Sequence, residues 1–209
     1  MTPYPTHLVF DFDGTLADSF ASSVAIFQRI GPALGLKPLP DPEQARSMPT
    51  KQLLREVGVN FWKLRRVVKA YQAAAAEEAH ELKLFPDWPA VLQELHVRGI
   101  ALGILSSNRE DVIRTCLRAN GVEDLFAFVV GYPKLFGKAK ALRRIMKSRG
   151  LDRAALVYVG DETRDIEAAH KAKVRVVAVH WGFQDPAILK EAKPTHAVES
   201  PRELLTLLG

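Results

Sequence analysis

The chain of 209 residues carries 29 Lys and Arg against 24 Asp and Glu, a formal charge of +5, with 47% hydrophobic and 25% charged residues. That balance is ordinary for a domain that buries a core of its own, and it excludes a largely disordered chain. The single cysteine, Cys116, excludes an intrachain disulfide framework, and no apolar run reaches the ~18 residues of a membrane span.

From the N-terminus, Met1–Thr6 shows neither a basic region nor an apolar stretch of the secretory kind, so a reducing, cytoplasmic setting is expected. His7–Phe10 is a short apolar run that breaks off in Asp11-Phe12-Asp13-Gly14-Thr15. Between Asp18 and Leu84 only helical patterns follow. Val24, Ile26, Phe27 and Ile30 mark a first helix, and Leu53, Leu54 and Val57 a shorter one. Phe61, Leu64, Val68 and Tyr71 share a face of a long one, read as core packing. Gly35–Pro42, with three prolines, reads as a loop.

Beyond that segment, helical and apolar runs alternate. Helices are predicted at Trp88–Arg98, Glu110–Asn120, Lys138–Arg149 and Asp165–Ala172. Strands are predicted at Ile100–Leu105, Phe126–Val130, Ala155–Val159 and Val174–Val179. Short Val/Ile/Leu runs without polar alternation are those of a parallel sheet covered on both faces, so the fold class is a doubly wound α/β sheet. Residues 1–17 and 85–209 form its discontinuous core, and residues 18–84 an inserted small helical domain.

Ligands of such sheets bind beyond the carboxyl ends of the strands. After the first strand come Asp11, Asp13, Gly14 and Thr15; after the second, Ser106, Ser107 and Asn108; after the fourth, Gly160, Asp161, Glu162 and Asp165. A lone aspartate in such a place reads as a cap or turn residue, and Asp18 or Ser19 is expected to open the first inserted helix in that way. Capping does not explain Asp11 and Asp13 together. Carboxylates crowded at one edge repel by several kcal/mol per close pair at an effective dielectric near ~20, so a cation belongs among them. All-oxygen ligands point to a hard ion, Mg²⁺.

The run Asp11-Phe12-Asp13-Gly14-Thr15-Leu16-Ala17-Asp18-Ser19 resembles the first motif of the haloacid dehalogenase superfamily of phosphohydrolases. Ser106-Ser107-Asn108 is similar to its second motif, Lys138 to its third, and Gly160-Asp161 with Asp165 to its fourth, in the family's order. Lys134 and Lys140 are rivals to Lys138, which is preferred because it follows Gly137 at the head of a helix. The insertion resembles the family's class 1 helical cap, with hinges near Ala17–Asp18 and Leu84–Pro86.

What the resemblance implies is a Mg²⁺-dependent phosphomonoesterase, phosphoglycolate-phosphatase-like. In it Asp11 attacks phosphorus and carries the phosphoryl group as an aspartyl-phosphate. Asp13 is the general acid and base. Its presence favours phosphate esters over carbon–halogen bonds, since a halide leaves without a proton. Asp11, the Asp13 carbonyl and Asp161 hold the metal. Gly14, Ser106, Ser107, Asn108 and Lys138 bind the phosphoryl group, and Asp165 and Glu162 stand behind them, with Glu162 expected to point away.

Small phosphorylated acids such as phosphoglycolate lead as substrates, ahead of sugar phosphates and nucleotides. Arg46, Lys51 and Arg55 are candidate contacts for a second anionic group. Rival readings are a phosphoryl mutase or transferase, a receiver-type phospho-switch, and a binding protein using the basic helix 138–149. That helix is read as a solvated face, without a nucleic-acid or membrane partner. His170, His180 and Cys116 are read as surface or packing residues. The Gly131–Lys138 stretch lacks the spacing and the Ser/Thr of a P-loop.

Overall fold

Among the residues described by the computed structural model, 5–132 and 134–207, six strands pair into one wholly parallel sheet. They are β1 (His7–Phe10), β2 (Ala101–Ser106), β3 (Phe126–Gly131), β4 (Leu156–Gly160), β5 (Arg175–Val179) and β6 (His196–Val198), in the order β3-β2-β1-β4-β5-β6. The chain winds outward from β1 to β3, then crosses back to β4 on the other side of β1. The strand order therefore reverses between β1 and β4, where a doubly wound sheet opens its ligand crevice. Phe10 is in register with Val159, and the Asp11 N–H donates to the Val159 carbonyl at 2.8 Å, so both strands deliver their next residues to one level.

The apolar runs are strands because both of their faces are covered. Leu8 and Phe10 point into one core with α5 (Trp88–Val97), α6 (Glu110–Ala119) and α10 (Pro201–Leu207). Val9 points into a second core with α7 (Lys138–Arg149), α8 (Thr163–Ala172) and α9 (Pro186–Glu191). α7 starts after Gly137 and stops at Gly150, both at positive φ, where a side chain would strain the backbone. Cys116 is buried in the first core and hydrogen-bonds the Leu82 carbonyl.

Residues 18–84 contribute α1 (Phe20–Ile30), α2 (Pro42–Arg46), α3 (Thr50–Glu56) and α4 (Phe61–Glu78) and no strand of the sheet. Their own apolar cluster is Val57, Val59 and Val67, with Phe27, Leu39, Leu54 and Leu64 packed on it. The segment leaves and re-enters side by side: Ala17 bridges Leu84, Asp18 N–H donates to Lys83 O at 2.9 Å, and Phe85 N–H to Leu16 O at 3.0 Å. Ser19 stands at the start of α1, but its hydroxyl makes no capping bond.

Three expectations are corrected. Phe61, read as core, is 82% exposed beside Trp62, at the outer end of α4. β6 was not anticipated, and α8 begins at Thr163 rather than Asp165. No helix among the described residues is long and apolar enough to cross a membrane.

Candidate active site

The turn after β1 puts Asp11 at the floor of the crevice, 1% exposed, with Oδ1 accepting from the Phe12 N–H at 2.8 Å. Lys138, the first residue of α7, is 2% exposed, and its Nζ lies 2.5 Å from Asp11 Oδ2 and 2.7 Å from Asp165 Oδ1. Lys134 and Lys140 are both exposed. Burial alone would lower the Lys138 pKa, but the Asp11 and Asp165 carboxylates outweigh it and raise the value. The second Asp165 oxygen accepts from the Glu162 N–H at 3.2 Å, fixing the head of α8.

Asp161 follows β4 and is fully buried, with Oδ1 accepting from the Thr15 hydroxyl at 2.7 Å and Oδ2 from the Phe183 N–H at 2.8 Å. Burial, then Glu162, Asp11 and Asp165, push its pKa well above the usual carboxylate range. Oxygens of Asp11, Asp161 and Asp165 all lie within 4.8 Å of one another. Three buried carboxylates around one lysine are short of positive charge, and the donors are all oxygen, so the set fits a hard divalent cation. The Asp13 carboxylate stands outside this cluster.

Glycine makes the closeness possible. Gly14 sits at φ +74°, and a Cβ there would collide with the Asp161 carboxylate and the Phe183 ring; a Cβ at Gly182 would strike Asp161 as well. Gly14→Ala is therefore expected to displace Asp161. Turnover should fall by at least about 10²-fold, the cost of misplacing a reacting geometry by ~1 Å, as steady-state kinetics would show. Behind this turn, the indoles of Trp88 and Trp181 both donate to the Thr15 carbonyl, at 2.8 and 3.1 Å.

Asp13 is half-buried and accepts from Asn108 Nδ2 at 3.1 Å. Burial and the Asp11 charge push its pKa up to about 6, against the Asn108 hydrogen bond. The loop after β2 supplies Ser106, Ser107 and Asn108. The Ser106 hydroxyl accepts from the Asn108 N–H at 3.1 Å, and Ser107 meets Gln72 through its carbonyl at 2.9 Å and Arg164 through its hydroxyl at 3.4 Å.

Asp13, Ser107 and Asn108 also line a cavity of about 310 Å³ that reaches up among α1, α3 and α4. Glu162 was expected to point away, yet it turns into this cavity, where it pairs with Arg164 and accepts from the Thr50 hydroxyl. Arg164 escaped the sequence reading because it belongs to no motif; its position in the first turn of α8, beside Glu162, is the signal that was there.

Arg46, Lys51 and Arg55 do not line the cavity. Arg46 stacks on the Phe20 ring at 5.1 Å, Lys51 lies over Phe136 at 5.4 Å, and Arg55 is exposed. His170 is exposed, and His180 faces Glu199.

The sequence profile of haloacid dehalogenase-like hydrolases matches residues 8–179, and the chain belongs to that family. It is 36% identical over 200 residues to a phosphoglycolate phosphatase of Synechococcus elongatus, covering 95% of this chain and 94% of the relative. A haloacid dehalogenase-like hydrolase of Streptococcus pneumoniae shares the fold, with a TM-score of 0.82, 23% identity and 99% of each chain covered. The structure of protein tyrosine kinase A of Mycobacterium tuberculosis superposes with a TM-score of 0.77 at 27% identity, again over 99% of each chain.

Proposed function

We propose that the protein is a cytoplasmic, Mg²⁺-dependent phosphomonoester hydrolase that works through an aspartyl-phosphate on Asp11. The observation that carries this reading is the division of labour between two carboxylates two residues apart. Asp11 is buried against the Lys138 ammonium, 2.5 Å away. Asp13 faces the cavity with a pKa of about 6, near the range in which one group can both give and take a proton.

In this reading an Asp11 oxygen attacks phosphorus, and the bond to the ester oxygen breaks as that oxygen takes the Asp13 proton. Water then attacks the same phosphorus, gives its proton to Asp13, and releases phosphate and the Asp11 carboxylate. Lys138 neutralises phosphoryl charge, and the Gly14 turn and the Ser106–Asn108 loop bind the phosphoryl oxygens. Asp165 holds Lys138 in place. Asp11, Asp161 and the Asp13 carbonyl would hold Mg²⁺. Bound there, the ion would offset the repulsion between carboxylate and phosphate dianion and polarise the phosphoryl oxygens.

Residues 18–84 act as a cap, and the bridged segments at Ala17 and Leu84 are the hinge through which it opens and closes. The relative's activity makes phosphoglycolate the first ester to assay. A panel of phosphate esters with Mg²⁺ tests the reading. Hydrolysis is expected with Mg²⁺, its loss in EDTA, and its return when Mg²⁺ is restored in excess. EDTA-resistant rates would contradict the metal assignment. Phosphoryl transfer to an alcohol with no release of phosphate would favour a transferase.

A further inference from the structure

The cavity above Asp13 has a chemical character that the catalytic residues do not explain. Its charged lining residues, among those described, are Asp13, Glu162 and Arg164, and Glu162 pairs with Arg164. Its polar wall groups are largely bonded to one another or to backbone. Ser23 bonds Tyr71 at 2.6 Å, Gln72 donates to the Ser107 carbonyl at 2.9 Å, and Gln184 donates to the Met48 carbonyl at 2.9 Å. The remaining surface is aliphatic and aromatic, with Phe20, Phe27, Leu54, Leu64 and Val68 prominent.

A carboxylate-bearing leaving group would enter a space whose one cationic side chain among the described lining residues, Arg164, already pairs with Glu162. Arg46, Lys51 and Arg55, the cations that could have met it, are not among its lining residues. Desolvating an unpaired carboxylate there is unfavourable, whereas the volume suits an apolar body. A dry cavity of ~150 Å³ already takes up benzene, and this one holds about 310 Å³.

Resting on the phosphomonoesterase reading above, we propose that the preferred substrate is the phosphate monoester of a neutral, largely apolar alcohol, alkyl or aryl, whose body fills this cavity while its ester oxygen meets Asp13. The polar part of recognition is then the phosphate alone.

The test is kcat/KM for straight-chain monoalkyl phosphates from ethyl to hexyl, beside 2-phosphoglycolate, on the Mg²⁺-loaded protein. The leaving groups along the alkyl series differ little in acidity, so a trend reports burial. The expected result is a rise of about two- to fourfold per methylene, with hexyl phosphate at least about tenfold above 2-phosphoglycolate. Val68→Phe, which occupies part of the cavity, should flatten the rise at its long-chain end. A profile flat with chain length, or a preference for 2-phosphoglycolate, would overturn the proposal and leave the phosphomonoesterase reading intact. Failure to hydrolyse any ester of the panel would overturn both.

Discussion

Asp11→Asn is expected to lower kcat on any phosphate ester by at least about 10⁴-fold, the scale on which removing a nucleophile acts. The fold should survive. The substitution is nearly isosteric, and the amide keeps an oxygen for the Phe12 N–H that Asp11 Oδ1 accepts at 2.8 Å. Lys138 loses one partner but retains Asp165 at 2.7 Å, while Asp161 and Asp165 are relieved of a neighbouring negative charge. These effects oppose one another, so the melting temperature should move by no more than the ~2–4 °C that about 1 kcal/mol produces in a chain of this size. Inorganic phosphate should bind the variant at least as well as the wild type, since one repelling charge is gone. Retention of more than a small fraction of the wild-type rate would exclude Asp11 as the attacking group.

Lys138→Met is expected to damage stability and activity together, and this separates it from Asp11→Asn. The lysine is 2% exposed and stands between Asp11 and Asp165, at 1% and 0%. Methionine fills most of its volume but leaves two buried carboxylates facing each other without a counter-charge. Breaking a buried ion pair by removing one partner costs about 3–5 kcal/mol, which in a chain of this length lowers the melting temperature on the order of 10 °C. Calorimetry in EDTA isolates this from any bound metal. Turnover should fall by about 10²–10³-fold, the scale of losing one charge-stabilising donor at a transition state. Adding Asp165→Asn should recover part of the stability and none of the activity, because it removes an unpaired charge without restoring a cation beside the phosphoryl group. A single variant as stable as the wild type would show that the buried triad is not held by its charges.

The fold was legible where local chemistry and tertiary context agree. β1 is legible at both of its bounds because the apolar run Leu8–Phe10, after His7, stops abruptly at Asp11, and α7 because Gly137 precedes a helical pattern that ends before Gly150. The reversal of strand order beside β1 gives a physical reason for the convergence of Asp11 and Asp161 from distant parts of the chain. β6 was missed because it has three residues at the sheet edge, two of them exposed, and so carries no apolar run. Phe61 was misassigned because periodicity identifies a helix face without saying how far along it the covering layer extends.

Within the candidate site, Asp11 and Asp161 follow strands and Lys138 heads a helix, places that the sequence pattern marks. The cavity is not marked in this way. Its walls come from separate helices in residues 18–84 and from the loops at the sheet edge, and its chemistry depends on which polar groups satisfy one another, as Ser23 and Tyr71 do. The same gap explains Arg46 and Lys51. Sequence shows a cation near a supposed cap, but not the aromatic ring that occupies it, Phe20 in one case and Phe136 in the other.

The most direct test of the covalent step is an acid quench of the wild-type protein during turnover of a phosphorus-labelled ester, followed by peptide mapping. Label is expected on the peptide holding Asp11, stable in acid, released by hydroxylamine, and absent from Asp11→Asn. Sustained hydrolysis with no labelled protein, or with the label on another side chain, would contradict the covalent step on Asp11.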